Sequence, residues 1–155
     1  MEQKEKTVDV LNDLISINND RVEGYTRAAA DSRDIDVDLQ GIFKRMAEQS
    51  RQYAAELTSE VVKLGGEPNS GTTAAGKIYR AWMDVKATFT GKDRHSLLAS
   101  CEFGEDAAQR AYNSALDADK NLAADIRELI STQKTALRTS HDLIKKYRDM
   151  HELAK

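Results

Sequence analysis

The segment Leu97-Leu98-Ala99-Ser100-Cys101-Glu102-Phe103-Gly104-Glu105-Asp106-Ala107-Ala108-Gln109-Arg110-Ala111-Tyr112 decides how this chain is read. At about 100° per residue, Leu97, Cys101, Gly104, Ala108, Ala111, Tyr112 and Ala115 share one helical face. That face is made mostly of small residues, with one thiol and one phenol. Small side chains let neighbouring backbones approach closely, so this helix belongs inside a bundle. Glu105 stands on the border of the face, near the middle of the helix. Whether its carboxylate serves a site or only a boundary is the functional question the sequence poses.

Outward from this segment the chain is helical in both directions. The helix itself reads as 93–117, opened by Asp93 as its cap. A short turn leads to a last helix, 122–150, with Ile126, Leu129, Ile130, Gln133, Leu137, Ser140, His141, Ile144 and Tyr147 on its stripe. At the other end a helix over 7–30 is capped by Thr7, with Asp9 and Asp13 near its positive pole. Its buried stripe is Leu11, Leu14, Ile15, Asn18, Val22, Tyr25 and Ala29. After a polar turn in which Asp34 or Asp36 is the cap, the helix 36–64 carries Leu39, Ile42, Phe43, Met46, Ser50, Tyr53, Leu57, Val61 and Leu64 on one face. Gly65-Gly66, followed by Pro68, is a strong stop signal. A shorter helix over 73–90 comes next, with Ile78, Trp82, Val85 and Phe89 on one side.

Short turns make each flanking pair an antiparallel hairpin. The long helical connection between the hairpins climbs back along the bundle before the second hairpin begins. The predicted fold is all-α: one domain over 1–155, a ferritin-like four-helix bundle with a short helical crossover between two antiparallel hairpins.

The several separated motifs Leu11-Asn12-Asp13-Leu14-Ile15, Glu23-Gly24-Tyr25, Ala54-Ala55-Glu56-Leu57, Leu64-Gly65-Gly66, Trp82-Met83-Asp84-Val85-Lys86 and Cys101-Glu102 through Gly104-Glu105-Asp106-Ala107-Ala108 occur in this order. In them the chain resembles a bacterial family of four-helix-bundle proteins of undefined function, grouped with the ferritin-like superfamily. The resemblance spans Val10 to Lys145. It implies the fold, and by analogy with the superfamily it raises metal or oxidant chemistry.

Composition narrows the function classes. The net charge of -3, with 32 % charged residues, lacks the basic excess of a nucleic-acid binder. No apolar run approaches the ~18 residues of a membrane span. Met1-Glu2-Gln3-Lys4-Glu5-Lys6 lacks the apolar stretch of a signal peptide, and a cytoplasmic protein is expected. The single cysteine, Cys101, excludes an internal disulfide and reads as a small buried hydrophobe.

A di-iron carboxylate bundle needs Glu-x-x-His on two helices and a glutamate on each of the others. Here Glu48 is followed three residues later by Arg51 and Glu56 by Ser59, and His141 is preceded by Arg138. A standard di-iron site is disfavoured. Folding each hairpin about its turn at ~1.5 Å per residue puts Asn18 level with Gln49 and Ser50, and Glu105 level with Gln133. By the same count His141 falls nearer Leu97 and Leu98 than Glu105. The mid-depth residues Asn18, Ser50, Glu105 and Gln133 therefore read as a buried polar layer that fixes register. Tyr25, Tyr53 and Tyr112 face inward beside it. As metal ligands the candidates are Glu105, His141 and Glu56.

The favoured reading is a non-enzymatic bundle with no cofactor. It would be a stress-associated or accessory protein that acts by association, with a protein partner or as a homodimer. The alternative is a metal- or oxidant-handling protein that holds iron, manganese or zinc with an altered ligand set. A third reading, an apolar-ligand carrier, would need a void at Gly104, Ala108, Ala111 and Ala115.

Overall fold

The computed structural model describes residues 2–32, 37–71, 94–118 and 120–153. Among them are four helices and no strand: α1 (Glu2–Ser32), α2 (Val37–Lys63), α3 (Arg94–Ala118) and α4 (Ala124–Leu153). The crossover helix expected over 73–90, with Trp82, and the caps expected at Asp34, Asp36 and Asp93 lie outside the described residues.

Side-chain contacts fix the direction of every helix. Asn18 meets Ser50 while Tyr25 stacks on Phe43, so α1 and α2 are antiparallel. Asn18 meets Tyr112 while Tyr25 meets Glu105, so α1 and α3 are antiparallel too. Tyr112 pairs with Gln133 and Asp106 with His141, which makes α3 and α4 antiparallel. Gln49 meets Ser140 and Glu56 meets Gln133, so α2 and α4 are antiparallel. It follows that α2 and α3 point the same way. The chain between Lys63 and Arg94 thus joins opposite ends of the bundle. Its first residues already run in that direction: the Glu67 carbonyl accepts from Asn12, Asn69 bonds Asn12 and Ser16, and the Gly71 carbonyl accepts from Asn19.

Two helix ends show how local chemistry sets the boundaries. Helix α1 starts at Glu2, so Thr7 is not its cap. Glu2-Gln3-Lys4-Glu5-Lys6 are strong helix formers that extend the helix, and the buried Thr7 hydroxyl instead donates to the Gln3 carbonyl at 2.9 Å. At the end of α2 the Gly66 amide donates to Val61 and the Gly65 amide to Val62, each at 3.0 Å, with Gly65 at φ 80°. This is the paired hydrogen-bond closure that favours glycine at its left-handed residue. Gly66 is required for a second reason. A Cβ there would lie 2.9 Å from both methyls of Val8.

The apolar core is in two parts. One joins Tyr25, Ala28, Leu39, Phe43, Leu98, Cys101 and Ile144 at the α1–α2 turn end. The other joins Leu11, Leu14, Leu57, Val61, Tyr112, Ile130 and Leu137 toward the α3–α4 turn. Between them lies a layer of buried polar groups.

Candidate functional site

The layer is built around Arg21, whose side chain is fully buried. Arginine carries five N–H donors, and here the guanidinium makes five contacts. Nε and Nη2 donate to Glu105 Oε1 at 3.0 and 2.6 Å. Nη1 donates to Ser50 Oγ at 2.5 Å and to Gln49 Oε1 at 3.3 Å. Nη2 also points at Met46 Sδ, 3.8 Å away. The guanidinium carbon lies 5.2 Å from the centre of the Tyr25 ring, within the range of a cation–π contact.

Glu105 is as deeply buried as Arg21. Its Oε1 accepts from Arg21 and, at 2.5 Å, from the Tyr25 hydroxyl. Its Oε2 has no hydrogen-bond partner among the described residues. Burial opposes the charge on Arg21, but the adjacent Glu105 and Tyr25 outweigh it and hold the guanidinium above its usual range. Burial, with Glu105 beside it, pushes the Tyr25 phenol well above its ordinary value. Burial also raises the thiol of Cys101 and the phenol of Tyr112. A thiol held protonated in an apolar setting is a poor nucleophile.

From Arg21 a chain of donors and acceptors crosses the bundle in one direction. Arg21 donates to Ser50, and Ser50 donates to Asn18 Oδ1 at 2.9 Å. Asn18 donates to Tyr112 at 2.8 Å and Tyr112 to Gln133 at 2.7 Å. Gln133 then donates to Glu56 at 3.0 Å. The chain starts at a cation and ends at a carboxylate, so each dipole points downhill in the field of the two ends. All four helices contribute to it.

The polar-layer residues expected from sequence thus sit as follows. Asn18, Ser50 and Gln133 belong to the chain just described, and Glu105 joins it only through Arg21. Glu105 and Gln133 are not level. The contacts between α3 and α4 pivot near residue 123, midway between Tyr112 and Gln133 and between Asp106 and His141, rather than near 119. An offset of that size on both arms moves the pairing by about two turns, or ~12 Å at 1.5 Å per residue. It brings His141 beside Asp106 rather than beside Leu97 and Leu98.

The three metal candidates Glu105, His141 and Glu56 have separate partners. Glu105 faces Arg21 and Tyr25, Glu56 accepts from Gln133, and His141 lies between Asp106 and Asp142. Among the described residues, the His, Cys and carboxylate side chains that do converge are Glu102, Asp106 and His141. An open groove on the outer side of α1 and α2 is lined by Ala29, Ala47, Lys44 and Arg51 among others, and by none of the small residues of α3.

Sequence reading missed Arg21 because charge is normally excluded from a buried stripe. Val22 was placed there instead, and it is only half-buried. The signal was present in the spacing. Leu14, Asn18, Arg21, Tyr25 and Ala28 follow one another by three and four, and all five are buried.

The profile of the family described as Domain of unknown function (DUF2383) matches residues 6–118. The chain belongs to the DUF2383 family. The matched span covers Asn18, Arg21, Tyr25, Ser50, Glu105 and Tyr112, so the Arg21–Glu105 pair lies wholly inside the DUF2383 region. Gln133 and His141 on α4 lie beyond it. No curated protein matches the chain.

Proposed function

We propose that this protein is a ferritin-like bundle without a metal centre in its middle, an accessory protein of the bacterial cytoplasm that works by association. The lengthwise connection between the two hairpins supports the ferritin-like assignment, since such folds carry one long crossover. One observation carries the functional reading. The position at which a carboxylate bundle would hold cations is taken by the Arg21 guanidinium, with its donors directed at Glu105, Ser50, Gln49 and Met46. The positive charge that balances Glu105 is part of the chain itself. A cation on the remaining oxygen of Glu105 would stand beside the buried Arg21 guanidinium, whose like charge opposes it.

What is left to act is the outer surface, where Val62, Phe103 and Met150 are exposed apolar groups. Elemental analysis of protein purified without chelator tests the claim about the centre. The iron, manganese and zinc content of Glu105→Gln is expected to equal that of the unaltered chain. Metal present at one or two equivalents and lost in that variant would contradict the proposal. Sedimentation equilibrium tests the association, with a concentration-dependent dimer expected and a monomer at every concentration contradicting self-association.

A further inference from the structure

We propose that Glu102, Asp106 and His141 form a binding site for one divalent transition-metal cation on the α3–α4 face, separate from the Arg21–Glu105 centre. This goes beyond the function proposed above and does not depend on it. Glu102 and Asp106 are four residues apart on α3, so their carboxylates project from the same side, and His141 faces them from α4. The three ligand atoms lie within 4.8 Å of one another, a spread that a single cation can draw together. An imidazole with two carboxylates suits zinc and its first-row neighbours, and three protein ligands leave a coordination position for water.

Two further observations support the site. His141 Nδ1 lies 3.1 Å from Asp142 Oδ1, while Nε2 lies 2.6 Å from Asp106 Oδ1. A carboxylate on the second nitrogen is the usual support of a metal-bound histidine, because it fixes the ring and leaves the other nitrogen to the metal. The carboxylates of Glu102, Asp106 and Asp142 also gather around His141, a negative setting that favours a cation, with Arg148 on Glu102 and Arg138 on Asp142 at its margins. Arg148 pairs with Glu102, and a carboxylate can accept from arginine on one oxygen while binding a cation through the other. On binding, the metal takes the Nε2 lone pair and any proton there passes to solvent, while Nδ1–H stays on Asp142.

Calorimetric titration of the EDTA-stripped, dialysed full-length chain with zinc chloride tests the site. One equivalent of zinc is expected to bind. His141→Ala and Asp106→Asn are each expected to weaken it at least tenfold, and Asp142→Asn by about 10-fold through the lost support. Arg148→Gln is expected to bind at least as tightly as the unaltered chain, since it removes a competing cation, and Glu105→Gln to bind equally. Helical circular dichroism confirms that each variant is folded. Another stoichiometry, no saturable binding, or unaltered affinity in His141→Ala or Asp106→Asn would overturn the site, as would weaker binding in Arg148→Gln. Loss confined to Glu105→Gln would instead count against the function proposed above.

Discussion

At the scale of single residues, the molecule turns on a charge in an unusual place. A buried arginine is tolerable only when its charge is paired and its donors are met, and Arg21 satisfies both conditions. The tyrosines beside it carry a testable consequence. A phenol held above its ordinary value in the fold adds stability that is fully present below the unfolded value of 10.0. That stability is lost as pH rises toward the folded value. Denaturant stability should therefore be level through neutral pH and fall from about pH 10 upward. In an absorbance titration at alkaline pH, the phenolates of Tyr25 and Tyr112 should appear only as the chain unfolds. Their free ionisation in folded protein at pH 10 would show that the layer is wet. Ser50→Ala should cost about 1–3 kcal/mol in urea denaturation, since it removes an acceptor from Arg21 and a donor from Asn18. This scale was the least legible in the sequence. Asn18, Ser50, Glu105 and Gln133 stood out as polar groups on apolar stripes, but Arg21 and its partner had to be recognised together. Each charge alone looks like a boundary residue, and only the pairing across α1 and α3 makes both internal.

At the scale of elements, the strongest signals were steric. Gly65 and Gly66 stop α2 for different reasons, and their substitutions should separate accordingly. Gly65→Ala meets no neighbour but must hold φ 80°, so it should cost about 1–2 kcal/mol. Gly66→Ala drives a methyl against the stiff, β-branched Val8 and should cost about 1–3 kcal/mol. Adding Val8→Ala should recover part of the Gly66→Ala loss and none of the Gly65→Ala loss, as read by thermal unfolding. Equal rescue of both would mean that the loop does not pack on α1 as described. Helix existence was readable from periodicity, and helix level was not. Thr7 resembles a cap but lies inside α1, because nothing in Glu2–Lys6 ends a helix. The α3–α4 turn, between Ala118 and Ala124, lies close to its expected place, and the pairing differs mainly because α4 is staggered along α3, which puts His141 beside Asp106.

At the scale of the whole molecule, two apolar clusters are joined through one polar layer to which every helix contributes. Apolar packing alone would tolerate sliding of one hairpin against the other by a turn, since leucines and alanines recur on each stripe. Arg21 on α1 reaches Glu105 on α3 and Ser50 on α2, and a slide would strand charges away from their partners. One buried polar contact can fix register in this way even where it adds little net stability. The overall class, four helices in two hairpins joined by a long connection, followed from stripe lengths and the glycine stops. The charge at its centre followed only from the structure. The central claim is that Arg21 and Glu105 act as one neutral unit. A double-mutant cycle with Arg21→Met, Glu105→Gln and their combination, read by urea denaturation, tests it directly. Each single change should cost about 3–5 kcal/mol by leaving its partner unpaired, and the double variant should cost clearly less than the two added together. Costs that simply add, or single variants as stable as the unaltered chain, would contradict it.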